Sequence, residues 1–146
     1  MSIRIGAILD NKGHKVFTLR PNATLLEATQ HLKDHGVGAL VVSDGGTDIA
    51  GIISERDIVR CIAHGPDCLD KPVSEVMTTT VTTCTREDTS DHVMSIMTER
   101  RMRHVPVVED GTMVGVVSIG DVVKAYTDEL EVSKSALEDY VTGSSY

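Results

Sequence analysis

The sequence repeats itself. Laid over itself with a displacement of 65 residues, the chain puts Val16 on Val81, Thr18 on Thr83, Thr24 on Thr89 and Val42 on Val107. Apolar positions coincide as well, Ala28 with Val93, Leu32 with Met97, Val37 with Met102 and Leu40 with Val105. One residue is lost in the second copy, between the positions of Asp44 and Asp48, in a Gly-rich turn where a deletion costs little. Beyond it a displacement of 64 puts Gly51 on Gly115, Ser54 on Ser118, Asp57 on Asp121 and Val59 on Val123. A unit of roughly 50 residues buries too little apolar surface to be comfortable alone, so the two copies are expected to pack together.

Each copy reads in one order. Val16–Leu19 is a short strand, and Thr24 precedes an apolar-periodic stretch with Glu27 three residues on, the pattern of a capping box. Leu25, Ala28 and Leu32 mark one face of that helix, which Gly36 ends. GALVV and IAGII, joined by SDGGTD, form a hairpin, and Ser54 caps a second helix in SERDIVRCIAHG. The second copy runs VTTC, DTSDHVMSIMTERRM, HVPVV, EDGT, MVGVV and SIGDVVKAY. The unit is β-α-β-β-α, and the fold class expected is α+β, two such repeats packed sheet to sheet as a pseudo-two-fold pair. The boundaries fall at 1–66 for the first repeat with an N-terminal extension and 67–127 for the linker HGPDCLDKP and second repeat. Residues 128–146 form a tail compatible with one further short helix.

Charge and composition exclude several partners. Fourteen basic against 22 acidic residues give a formal charge of -8, so the long-range field repels nucleic acid and anionic membranes. Aromatic residues are 3%, with no Trp and one Phe, which removes the stacking platforms that single-stranded nucleic acid needs. No stretch approaches the roughly 20 apolar residues of a membrane span, and the N-terminus has too short an apolar run for a signal peptide. A cytoplasmic location is therefore expected. Cys61, Cys68 and Cys84 form no CxxC and read as free thiols or small hydrophobic residues.

GIISERDIV and GVVSIGDVV, each closing a hairpin and opening a helix, resemble the G-h-h-[ST]-x-x-D signature of cystathionine-β-synthase (CBS) domains, where h is apolar. RRMRHVPVVEDG is similar to the family's middle strand, and the resemblance extends over roughly residues 3 to 125. It implies a tandem CBS pair, or Bateman module, a regulatory unit that binds adenosine-containing ligands in clefts between its repeats and commonly forms a homodimer. AMP is the first candidate ligand, with ATP or NAD(H) as others, and no further cofactor is required.

At a strand-to-helix junction, free backbone N–H groups and the positive end of the helix dipole suit a phosphate. Ser54 and Ser118 stand there, able to cap the helix or to contact phosphate. Asp57 and Asp121 either complement the helix dipole or accept hydrogen bonds from both ribose hydroxyls. By the resemblance, Thr18 and Thr83 lie beside the nucleoside, and Arg103 and His104 lie where phosphates are neutralised. The first copy carries Gly38 and Ala39 at the places of Arg103 and His104, so the two sites are inequivalent. Arg56 is the candidate phosphate contact on the first copy's side, with Lys12 as an addition. With no aromatic available to stack on adenine, Val37, Leu40, Val105 and Pro106 are its candidate walls.

Glu27, His31 and His35 share a helix face, but no further ligand cluster accompanies them, and no metal site is expected. There is no G-x-S-x-G elbow and no Walker or Rossmann glycine loop, so no catalytic residues are assigned. The leading function is a non-enzymatic nucleotide sensor acting on an enzyme or transporter in trans. The alternative is a structural dimerisation module that binds no nucleotide.

Overall fold

The computed structural model describes residues 2–142. In the first repeat β1 (Thr18–Leu19) pairs in parallel with β2 (Ala39–Val42), which pairs antiparallel with β3 (Gly51–Ser54). Helix α2 (Leu25–His35) lies between β1 and β2, and α3 (Glu55–Ala63) follows β3 directly. Thr24 caps α2 by accepting from the Glu27 amide at 3.1 Å, and Gly36 ends it with φ 63°, a conformation that favours glycine. Leu25, Ala28 and Leu32 turn inward onto Leu40, Val42 and Ile53.

In the second repeat α4 (Ser90–Arg100) precedes the antiparallel hairpin of β4 (His104–Glu109) and β5 (Thr112–Ser118), and α5 runs from Ile119 to Thr142. The expected strand VTTC contracts to one parallel bridge between Cys84 and Val107. The chain turns away at once, because the Asp88 carboxylate accepts the Thr85 amide at 2.7 Å. Among the described residues the tail forms no separate helix. Neither Gly nor Pro interrupts the chain between Gly120 and Thr142, so α5 continues without a break.

Buried apolar residues form two clusters, one per repeat, rather than a single shared core. Each cluster is completed by the segment that precedes the other repeat. Residues of the N-terminal extension form α1 (Ile5–Lys12), whose Ile5, Ile8 and Leu9 belong to the second cluster. The Ile5 and Gly6 amides donate to the carbonyls of Asp88 and Arg86, and the Arg86 guanidinium grips Asp10 at 2.9 and 3.1 Å. Conversely, the linker after α3 serves the first repeat. It makes two short 3-10 turns, Pro66–Asp70 and Val73–Glu75, which bury Cys68 and Val73 in the first cluster. Thr78 then exchanges both backbone hydrogen bonds with Ile52 at 2.9 Å.

The equivalent glycines Gly51 and Gly115 sit where these exchanged segments press on the strands. A Cβ at Gly51 would stand 2.7 Å from Met77 Sδ and 2.8 Å from the Thr78 carbonyl oxygen. At Gly115 it would meet the two δ-carbons of Leu9, at 2.8 and 3.1 Å. Backbone yields less readily than the end of a side chain. Gly51→Ala is therefore expected to destabilise the protein by about 1–3 kcal/mol, and Gly115→Ala by less. Thermal unfolding of both variants checks this, and equal losses would contradict it.

Candidate functional site

Two clefts lie between the repeats, related by the same pseudo-symmetry as the sequence. One, of about 600 Å³, sets Ser118 and Asp121 of the second repeat against Lys15–Phe17 and Gly36–Leu40 of the first. The other, of about 490 Å³, sets Ser54, Arg56 and Asp57 of the first repeat against Thr80–Thr82 and Arg100–His104 of the second. The closing signature of one copy thus faces the lead-in segments of the other.

At each junction serine and aspartate hold one another. The Ser54 hydroxyl accepts from the Asp57 amide at 3.3 Å, while Asp57 Oδ2 accepts from the Ser54 amide and hydroxyl, both at 3.0 Å. Ser118 and Asp121 repeat the box at 3.1 and 2.8 Å. In both copies the carboxylate is thereby pinned at the first turn of the helix by one of its oxygens. The second oxygen of Asp57 accepts from the Thr78 hydroxyl at 3.4 Å.

The two carboxylates differ in what approaches them. Lys12, at the end of α1, places Nζ 2.5 Å from Asp121 Oδ2 and 2.7 Å from the Val116 carbonyl oxygen. Burial works to raise the Asp121 pKa, but the Lys12 ammonium and the Ser118 amide outweigh it and hold the carboxyl below its ordinary value. Asp121 is accordingly ionised at neutral pH.

His104 and Arg103, at the head of β4, line both clefts together with Gly38, Ala39 and Glu55. Burial, and then the neighbouring Arg103 charge, lower the His104 pKa, against opposing pulls from Asp121 and Glu55. Arg103 lies 3.8 Å from Glu55, an exposed and loose pair. Arg101 takes a left-handed backbone, φ 53°, at the place where the first copy has Gly36. For a residue with a Cβ that conformation costs about 1–2 kcal/mol. The conformation closes α4, the Arg101 amide donating to the Met97 carbonyl as a helix C-cap.

The CBS domain family model matches residues 10–64 and 73–128. The chain belongs to the CBS-domain family. A CBS-domain containing protein from Agrobacterium tumefaciens has the same fold, with a TM-score of 0.82 and 43% identity over 85% of this chain and 99% of that one. The CBS domain pair of protein MJ0100, solved with 5′-methylthioadenosine and S-adenosyl-L-methionine, matches with a TM-score of 0.75 and 27% identity over 88% and 99% of the two chains. A CBS domain protein from Pyrobaculum aerophilum complexed with AMP gives 0.72 and 30%, over 82% and 89%.

Against this CBS pair the expected residues sort as follows. Ser54, Arg56 and Asp57 come together in the Asp57 cleft, and Lys12, Val37, Ser118 and Asp121 in the Asp121 cleft; Gly38, Ala39, Arg103 and His104 line both. Arg56 and Lys12, expected on one side, lie in different clefts. Arg56 stands beside Asp57 of its own copy, in a cleft that Arg103 also lines, and its Nη1 donates to the Arg101 carbonyl at 3.4 Å. Lys12 stands at Asp121, across the molecule's pseudo-axis from Arg56, because α1 packs on the second repeat. Leu40 lines the Asp121 cleft, whereas Thr18, Thr83, Val105 and Pro106 line neither. Val105 is wholly buried in the second cluster, and the segments led by Val16 and Val81 present earlier residues to the clefts.

Further cations line the clefts beside the candidate ligand contacts. Lys15 and Lys33 join the Asp121 cleft, and Arg60, Arg100 and Arg101 the Asp57 cleft. Arg60 was available from helical spacing, four residues after Arg56. An aromatic ring is also present after all. Phe17 lines the Asp121 cleft, stacked on His35 at 3.7 Å between centroids with Lys15 Nζ 5.2 Å from its own.

Proposed function

We propose that this CBS pair is a regulatory module that binds adenosine nucleotides, AMP foremost with ATP or NAD(H) as others, in the clefts between its repeats, and that it performs no catalysis. The observation that carries the reading is the duplicated junction: a helix N-terminus with a pinned, outward-facing aspartate, set twice against cations from the other repeat. Asp57 and Asp121 receive the ribose hydroxyls, and Val37 and Leu40 wall the adenine of the Asp121 cleft. Arg56, Arg103 and His104 receive phosphate in the Asp57 cleft, and Lys12 with Lys15 does so in the other. The AMP-bound and S-adenosylmethionine-bound relatives support this class of ligand.

A ligand that binds only the folded state must stabilise it. AMP at a hundredfold excess over its Kd is expected to add about 2.7 kcal/mol, read as a rise in Tm. Calorimetric titration then counts the sites. No shift with AMP, ATP, NAD(H) or S-adenosylmethionine favours the structural dimerisation module instead. Val59 and Ile62 on α3 and Val123 on α5 are exposed and apolar, which supports a two-fold homodimer through these helices. The module then acts on a regulated enzyme or transporter in trans.

His104 makes phosphate binding pH-dependent. Its folded-state pKa lies below the ordinary value of about 6.5, so the unfolded chain binds more protons in the window just beneath that value. Stability is full above it and falls as pH is lowered through the folded pKa. A bound phosphate reverses the preference by stabilising the imidazolium, so AMP binding takes up a proton and strengthens from pH 8 to pH 6.5. His104→Gln, titrated in parallel to cancel the ligand's own ionisation, should lose that gain. An identical pH profile in both proteins contradicts the assignment.

A further inference from the structure

The second half of α5 leaves the body of the protein. The family match ends at residue 128, and every described side chain from Thr127 to Val141 is exposed. At 1.5 Å per residue the helix projects about 20 Å. An isolated helix of this length is marginal in water, so it requires a partner to be stable. Its sequence has a seam. Leu130 and Leu137 are seven residues apart, with exposures of 55% and 62%, and Ser133 and Tyr140 fall three residues after each. The stripe continues at its base into exposed Val123.

We infer that this half of α5 pairs in parallel, in register, with the same helix of a second copy. The pairing extends the two-fold dimer of the preceding reading and rests on that part of it. The charges decide the occupant and the direction. With Leu130 and Leu137 at the first core position of the heptad, Glu129 flanks the seam on one side and Lys134 on the other. In a parallel pair these positions meet across the interface, five residues apart in sequence, so Glu129 of each copy faces Lys134 of the other. The next such pair, Ala136 with Val141, is uncharged and extends the apolar strip. Asp128, Glu131, Glu138 and Asp139 fall on the outer positions, where like charges from the two copies stay apart. An antiparallel pair sets each flank against itself, leaving Glu129 and Lys134 without opposite charges. Within one helix Lys134 reaches Glu138 only at 3.9 Å, with both side chains well exposed, a weak pair that does not prevent the exchange. Two heptads are short, so the seam reinforces an interface begun by α3 and the start of α5 rather than forming one alone.

The test compares the full chain, a chain ending at Asp128 and the variant Leu130→Glu/Leu137→Glu by sedimentation equilibrium over a dilution series. The full chain should dissociate at a concentration at least tenfold lower than either altered protein, and the two altered proteins should agree. Tyr140→Cys should form an intermolecular disulfide on mild oxidation; residue 140 lies near the end of the projecting stretch, so an antiparallel pair centred on that stretch would hold the two thiols roughly 18 Å apart, beyond disulfide reach. AMP titration of the shortened chain keeps the questions apart, since its clefts are untouched. Three equally tight dimers overturn the α5 pairing and leave the dimer standing; a monomeric full chain overturns both. A full chain that stays monomeric but whose α5 captures a basic amphipathic peptide assigns the helix to a different partner and overturns the proposal as well.

Discussion

Replacing Leu9 with alanine should remove about 2–5 kcal/mol of stability, a large share of what a domain of this size possesses. Leu9 lies in the N-terminal extension, where a conventional reading of the repeats leaves a dispensable arm. Its side chain is wholly buried in the second cluster and packs over Gly115 of β5. The cavity left by truncation is bounded by β5 and α5, elements fixed by the rest of their repeat, so little collapse can relieve it. The effect should reach the Asp121 cleft, because Lys12 stands one turn further along α1 and loses its placement when the helix loosens. Urea unfolding measures the first effect and AMP titration the second. A loss below 1 kcal/mol would make α1 an appendage.

Asp57→Asn and Asp121→Asn should each weaken AMP at their own cleft by about ten- to a hundred-fold, the cost of a charge-assisted hydrogen bond of about 1.5–3 kcal/mol. Asparagine keeps the volume and one acceptor, so each capping box can survive the change while the charge and one acceptor oxygen are lost. AMP lacking its 2′-hydroxyl should suffer a similar penalty in the unaltered protein. The two losses should not add, since both delete the same contact. Asp121→Asn also leaves Lys12 without its ion pair, so its effect should exceed that of Asp57→Asn where phosphate is absent from the ligand. If the unaltered protein binds the deoxy nucleotide as tightly as AMP, or if both variants bind AMP normally, the carboxylates serve only their helices.

The sequence exposed what local chemistry determines. Thr24, Gly36 and Ser54 act at short range, and each caps its helix as the spacing predicts, although Thr24 and Glu27 form only the hydroxyl half of the expected capping box. The repeat likewise fixes which residues are equivalent, so Ser54 with Asp57 and Ser118 with Asp121 were legible as twin junctions. Equivalence does not reveal which copy faces which. That is a property of the packing, and it is why the spacing alone does not separate Arg56 from Lys12, which lie in different clefts. Helix α1 escaped because Arg4 supplies no side-chain cap and the helix is only eight residues long, although Ile5, Ile8 and Leu9 already had helical spacing. The cleft walls are Lys15–Phe17 and Thr80–Thr82 rather than Thr18 and Thr83 because the chain crosses each cleft as an irregular lead-in, before sheet pairing begins at Thr18 and at Cys84.

The exchange of lead-in segments determines how the chain can be made and divided. During synthesis α1 emerges ahead of both repeats, yet its contacts are with Arg86, Asp88 and Asp121, so it must wait until the second repeat is translated. The first repeat waits too, for residues 66–78 that belong by position to its successor. Such contacts raise the contact order and slow the final docking. A cut at residue 65 would therefore separate neither repeat intact: each fragment would carry the segment that completes the other. The two halves should therefore behave as complementary fragments of one cooperative unit, each lacking a segment that the other carries.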